Sequence, residues 1–231
     1  MNIKYNYELD SWQALLQQLV VNCSKQCKYY FWHITYFPVN KKDKWREIDE
    51  KLIERYETRT TKDQRNRMRK KGLARFYYMR WENIAIILHT EGVVPDGMIQ
   101  DKFYDIRKKP IQIFISDLVS FDIQNLNNKI EVKLAEETYQ TIKEELKNVA
   151  KSANNIRKIK NTYNKVNGFP AYSGIIKQKK ELAKFLVKQT KKHNINAQKL
   201  EVPNLFIRMQ RKTVRTWRKS TLDSKSDSRD T

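Results

Sequence analysis

Cysteine, glycine and proline are scarce in this chain, at two, five and five among 231 residues. Two thiols, Cys23 and Cys27, cannot supply a disulfide framework or a closed zinc quartet. Four apart on what reads as one helix, they are expected to be packed thiols. No run of about 18 apolar residues exists, which excludes a membrane-spanning helix. The opening Met1, Asn2, Ile3 and Lys4 lacks the charged, apolar and small-residue order of a secretory leader. A cytoplasmic or organelle-internal protein is expected, not a secreted one, and no membrane partner. The sequence also has no phosphate-binding glycine loop, no dinucleotide fingerprint and no nucleophile elbow, which argues against nucleotide-driven motors and most cofactor enzymes.

What is abundant is positive charge. Lys and Arg number 47 against 26 acidic residues, a formal net charge of +21 in a chain that is 32% charged and 39% hydrophobic. That excess is far beyond what solubility requires, and it points to a polyanionic partner, DNA or RNA. The rival from charge alone is a ribosome-associated or structural interaction protein in surroundings rich in anions.

Trp12, Leu15, Leu16, Leu19 and Val20 fall on one stripe of a first helix after Ser11, and Tyr29 to Phe37 reads as a buried strand closed by Pro38. Asp43 is expected to cap a helix whose inner stripe is Trp45, Ile48, Leu52, Ile53 and Tyr56. Thr61 with Gln64 has the form of a capping box for a short exposed helix ended by Gly72. Strands are expected over 73–81, 83–90 and 111–115, then a hairpin turning at Asn127-Asn128. Helices are expected over 136–151 and 175–192, a last strand at Leu205, Ile207 and Met209, and a disordered tail over 219–231. This order predicts an α+β fold, mainly antiparallel sheet with packed helices and a basic helical C-terminal part. The expected organisation is a nucleic-acid-binding core over 1–134 and a helical, basic region over 135–218 that completes the fold.

The segment Thr58 to Lys71 loses its apolar pattern and fills with Arg59, Lys62, Arg65, Arg67, Arg69, Lys70 and Lys71 against the single acid Asp63. With Arg75 and Arg80 it forms the main candidate phosphate-binding surface, because guanidinium groups grip phosphates with paired donors. Phe76, Tyr77, Tyr78 and Trp81 beside it are read either as core residues or as base-stacking rings. A second basic surface comprises Lys180, Lys184 and Lys188 with Lys177, Lys179, Lys191 and Lys192, preceded by Arg157, Lys158 and Lys160 and followed by Arg208, Arg211, Lys212, Arg215 and Arg218. Lysines of this kind contact phosphate without reading sequence.

A catalytic alternative lies in the hairpin. With Asn127-Asn128 as its turn, Asp122, Glu131 and Lys133 share one face, in the order seen in magnesium-dependent nucleases. Two carboxylates would hold Mg2+ or Mn2+ and the lysine would activate water; an exposed Asp122 to Lys133 ion pair is the simpler account. His33 and His89 could approach each other on neighbouring strands. The strand Phe31-Trp32-His33-Ile34-Thr35, the Trp45 helix, Gly72 to Glu82 and the strand ending Leu88-His89-Thr90 resemble the opening of rolling-circle plasmid replication initiators and related transposases. The resemblance covers about the first 90 residues, and His89 is followed two residues on by Glu91 where that family has a second histidine. It implies a plasmid or mobile-element replication, recombination or RNA-accessory factor. It also implies a strand-nicking tyrosine, for which Tyr139 is the candidate, and a metal ligand at His89, with Asp122 and Glu131 as further metal candidates.

Overall fold

A computed structural model describes residues 6–95, 97–98, 101–151, 156–193 and 215–218. The fold is α+β, with six α-helices and two antiparallel sheets among the described residues. It divides into two compact units, one of residues up to Pro110 with 125–130 and 215–218, the other of 111–124, 131–151 and 156–193. The expected last strand and the expected tail lie outside the described residues.

In the first unit, helix α1 (Trp12–Asn22) starts where the Ser11 hydroxyl accepts the Ala14 N–H at 3.2 Å. Of the stripe that periodicity marks, it buries Leu15, Leu16 and Leu19 and leaves Trp12 and Val20 half-buried. The helix stops at Asn22, so Cys23 and Cys27 do not share it. Cys23 is buried, and burial pushes its thiol up to about 12, while Cys27 is half-buried. Both are free thiols.

Four strands follow in the order β2-β3-β1-β4: β1 (Phe31–Tyr36), β2 (Phe76–Trp81), β3 (Ile84–His89) and the short β4 (Tyr104–Asp105). Strand β3 is buried along its whole length because it is central, and this is why its sequence reads as an unbroken apolar run. Its register with β1 runs from Phe31 opposite His89 to Tyr36 opposite Ile84. Helix α2 (Trp45–Arg55) contributes Trp45, Leu52 and Ile53 to a core with Phe37, Tyr56, Phe76, Tyr78, Ala85 and Ile87. Each such side chain stabilises the fold by roughly 1.5–3 kcal/mol relative to its exposed state. The start of α2 departs from expectation: Lys44 is its cap, and Asp43 lies in a preceding 3-10 stretch, Val39–Lys44. The entry is fixed by the Trp45 indole N–H, which donates to the Pro38 carbonyl at 2.9 Å.

Helix α3 (Lys62–Lys70) has the capping box that Thr61 and Gln64 announce, and Gly72 takes the left-handed φ of 69° just beyond it. Gly92 answers a different need. A Cβ there would come within 2.7 Å of the Gly72 carbonyl and the Ala74 nitrogen, so the chain passes only with glycine. Trp217 then pairs with Leu9 as an isolated antiparallel bridge.

The second sheet is a meander of β5 (Ile111–Ser116), β6 (Val119–Leu126) and β7 (Lys129–Leu134), which belongs to the second unit except for residues 125–130. Asn127 and Asn128 make its last turn with φ of 51° and 63°, the conformation asparagine tolerates best after glycine. Helix α4 (Glu136–Lys151), helix α5 (Ile156–Asn167) and helix α6 (Ser173–Lys192) pack around Leu146, Ile159, Tyr163, Val166, Leu182 and Leu186. Helix α6 docks on the free edge of β7. The Gln178 side chain accepts the Leu134 N–H at 2.8 Å and donates to the Leu134 carbonyl at 3.0 Å, standing in for a missing strand. Gly174 permits the approach, since a Cβ there would lie 2.6 Å from the Val132 carbonyl.

Candidate nucleic-acid interface

Helix α3 buries none of its side chains. Arg65, Asn66 and Met68 are half-buried and the rest exposed, so α3 has only a thin inner side and is fixed chiefly at its start. The Thr61 hydroxyl accepts the Gln64 N–H at 3.1 Å, and the Gln64 side chain accepts the Thr61 N–H at 2.7 Å. The Arg65 guanidinium is half-buried and donates to the Thr60 carbonyl, so it anchors the helix start. Arg67, Arg69, Lys70 and Lys71 are exposed and form no ion pair with a described residue. They cluster at the C-terminal turn of α3, where cations also complement the helix dipole.

The flanking cations are placed differently. Arg59 is exposed but ion-paired with Glu50. Arg75 is half-buried, with its guanidinium carbon 5.6 Å from the centre of the Tyr29 ring. Arg80 is a correction to the expected phosphate surface: it is only 5% accessible. Its Nε donates to both carboxylate oxygens of Asp49, at 2.8 and 3.1 Å, and its Nη2 lies 3.2 Å from Glu8. The Tyr78 hydroxyl donates to Asp49 at 2.5 Å, and burial with the neighbouring Asp49 charge drives that phenol far above its ordinary range. Of the neighbouring rings, Phe76 and Tyr78 are buried, and Tyr77 and Trp81 half-buried, so the first two are core residues.

A second exposed set lies on α6. Lys177, Lys180, Lys184, Lys188 and Lys191 are all exposed and spaced three or four residues apart, which places them along one side of the helix. From first to last the ridge is about 21 Å long at 1.5 Å per residue. None of the five forms an ion pair with a described residue. Lys179 does not belong to this surface. It is buried, its ammonium donates to the carbonyls of Phe169 at 2.8 Å and Asn167 at 3.4 Å, and burial lowers its pKa. Its role is to close the end of α5. Arg218 likewise binds Glu8 at 2.8 Å and Glu82 at 3.2 Å. Arg208, Arg211 and Lys212 lie outside the described residues.

With this geometry in hand, the chain can be set beside known proteins. It matches no protein-family model, no curated protein and no solved structure.

The catalytic candidates fare unevenly. The hairpin turn brings Asp122, Glu131 and Lys133 onto the same side of the sheet, and the Gln124 amide donates to Glu131 at 3.0 Å across the strands. Burial raises the Asp122 pKa, opposed by Lys133 and reinforced by Glu136 and Glu137. Yet Gly174 of α6 sits over Glu131 and Lys133, within 2.9 and 3.2 Å of a Cβ built there, which covers part of the face a nuclease would need open. His89 is 7% accessible and lies among the rings of Phe31, Phe76 and Phe103, whose centroids are 4.6, 5.1 and 4.7 Å away. Its Nδ1 is 2.9 Å from the Thr90 carbonyl, and burial lowers its pKa. Among the described residues no group of three His, Cys, Asp or Glu is placed to hold a metal ion. Tyr139 is half-buried and donates to Glu181 at 3.3 Å. Burial and that carboxylate raise its pKa, the reverse of what a nucleophilic tyrosine requires.

Two constellations were absent from the sequence reading. Arg107 binds Asp105 at 2.8 Å and Glu91 at 2.7 Å, and its guanidinium lies 4.6 Å from the Tyr30 ring centre. Glu91 is thus an ion-pair partner among the described residues. His33, on β1, faces Asp101 with Nε2 4.0 Å from the carboxylate, which also takes the Tyr56 hydroxyl and lies 3.7 Å from Arg55. The Asp105-Arg107 pairing at i, i+2 is a local signal that could have been read; the Asp101 cluster joins residues 68 apart and leaves none.

Proposed function

We propose that this chain is a nucleic-acid-binding protein whose phosphate contacts include Arg67, Arg69, Lys70 and Lys71 on α3. The observation that supports it is a helix with no buried face, fixed at its start and presenting cations that no described acid neutralises. Such a helix contributes little to a core, so Arg67 and Arg69 are free to meet an external anion. The chemistry is electrostatic and independent of base identity: each neutralised phosphate releases counterions, and affinity falls steeply with salt. No helix among the described residues is long and apolar enough to cross a membrane.

The test is fluorescence anisotropy with a labelled oligonucleotide over a series of salt concentrations. Replacing Arg67, Arg69 and Lys70 together by alanine is expected to lower affinity about tenfold or more and to reduce the log-log salt slope by about 2–3. The thermal melt should stay the same, since none of the three side chains is buried. An unchanged slope removes α3 from the contact surface, and no binding at low ionic strength removes the proposal.

A further inference from the structure

We infer that the nucleic acid this chain holds is a duplex, gripped by its phosphates without base stacking, and that the lysine ridge of α6 is a phosphate track in its own right. The inference rests on the nucleic-acid reading above and names the class of ligand within it.

Charge placement supplies the first step. Residues 156–193 hold one acid, Glu181, which accepts a hydrogen bond from Tyr139; of the basic side chains there, Lys165 pairs with Glu145 at 2.9 Å and Lys179 is buried, so the charge that counts is on the ridge of α6. Lys177, Lys180, Lys184, Lys188 and Lys191 form the exposed ridge, while Arg157, Lys158 and Lys165 border a shallow hollow with Asn161 and Thr162 on α5. Helix α6 is rigidly seated, with Leu182, Ala183 and Leu186 in the core and Gln178 bonded to the β7 backbone. A row of exposed lysines along one side of a 20-residue helix suits a stiff polyanion of high linear charge.

The second step is what these surfaces lack. Binding of single strands relies on aromatic faces that stack bases, worth roughly 1–3 kcal/mol each. The well-exposed rings among the described residues are Tyr36 at 50% and Phe114 at 44%, and neither lies on α3, α5 or α6. Tyr163 of α5 is wholly buried, and Phe185 of α6 is half-buried, with the Lys143 ammonium 5.3 Å from its centre. Where stacking is missing, electrostatics decides, and a duplex carries a charge every ~1.7 Å against ~3.4 Å for one strand, with a larger counterion release per contact. The duplex is therefore the better ligand. An anionic membrane surface fits less well, because the apolar side of α6 is already in the core and cannot insert.

The experiment uses the full chain and three probes: a mixed-sequence duplex, an oligothymidylate of equal length, and vesicles containing phosphatidylserine. The duplex is expected to bind several-fold more tightly than the single strand, with negligible binding to vesicles. Replacing Lys180, Lys184 and Lys188 by alanine should lower duplex affinity about tenfold and cut the salt slope by roughly 2–3, with an unaltered melt. Oligothymidylate bound as tightly as duplex, or a triple variant with an unchanged slope, overturns this inference and leaves the nucleic-acid reading standing. Vesicle binding that is lost in the triple variant overturns it in favour of a lipid surface. Failure of both nucleic acids to bind at low salt ends the broader reading itself.

Discussion

Arg69 and Arg80 stand in one basic stretch of sequence, yet they do opposite work. Arg69 projects from a helix with no buried face and has no acidic partner among the described residues; Arg80 is shut inside the sheet of the first unit against Asp49. The same contrast recurs in the second unit, where Lys180 is exposed and its neighbour Lys179 is buried on two backbone carbonyls. A cation count therefore overstates the surface available to a polyanion, and which cations count is set by the period of the element that carries them. On a strand the side alternates with every residue; on a helix a step of one turns the side chain by about 100°.

The contrast predicts its largest effect at Arg80. Arg80→Ala leaves the Asp49 carboxylate buried without its partner, which should cost the fold about 3–5 kcal/mol, read as a lower denaturation midpoint in urea. Arg67→Ala and Arg69→Ala should leave that midpoint where it is. If Arg80→Ala melts like the parent chain and instead loses oligonucleotide affinity, the division into buried and exposed cations is wrong at its clearest point.

Elements with strong local signals were legible from sequence. The capping box of α3, the asparagine turn of the β6-β7 hairpin and the apolar stripe of α1 depend on residues within a few positions of each other, and each stands in the structure as read. The start of α4 at Glu136 agrees to the residue. What failed was of two kinds. Charge alone puts Arg80 on the surface, but Phe76, Tyr78 and Arg80 share the parity of one strand face, so the pattern that buries the two rings buries the guanidinium as well. Helix α5 was seen only as basic residues, although Ile159, Tyr163 and Val166 give it an inner stripe at helical spacing. The second kind could not have been read. Asp49 meets Arg80 from 31 positions away, and Gln178 meets Leu134 from 44, and no local period encodes such a partner.

A smaller effect separates Lys179 from Lys180. Lys179→Met strips the carbonyls of Asn167 and Phe169 of their donor and should destabilise by about 1–3 kcal/mol, while Lys180→Met should be neutral in the melt. The pH dependence sharpens this. Burial places the folded-state pKa of Lys179 below its unfolded value, so the unfolded chain binds the proton more tightly and this group's contribution to stability rises as pH climbs from the folded pKa to the unfolded one. The difference between the parent chain and Lys179→Met should therefore widen in alkaline solution. A constant difference across that range would mean that the ammonium is not desolvated as described.

The smallest effect belongs to Asp122, where the contrast between buried and exposed charge is tested with a carboxylate. Burial raises its folded pKa above the ordinary value, so the folded state favours the protonated form. The stabilising share of that proton is complete below the unfolded pKa and disappears as pH rises through the folded pKa, leaving a cost at neutral pH. Asp122→Asn removes a charge that the fold disfavours, so the variant should be more stable than the parent chain at pH 7 and equal to it at pH 3, measured by denaturation at the two pH values. Repeating the neutral-pH melt with magnesium or manganese turns the same variant on the nuclease reading. A carboxylate half-buried near Lys133 in a partly covered sheet should give melts that the metals leave unmoved; metal-dependent stabilisation of the parent chain, lost on Asp122→Asn, would restore Asp122, Glu131 and Lys133 as a metal site.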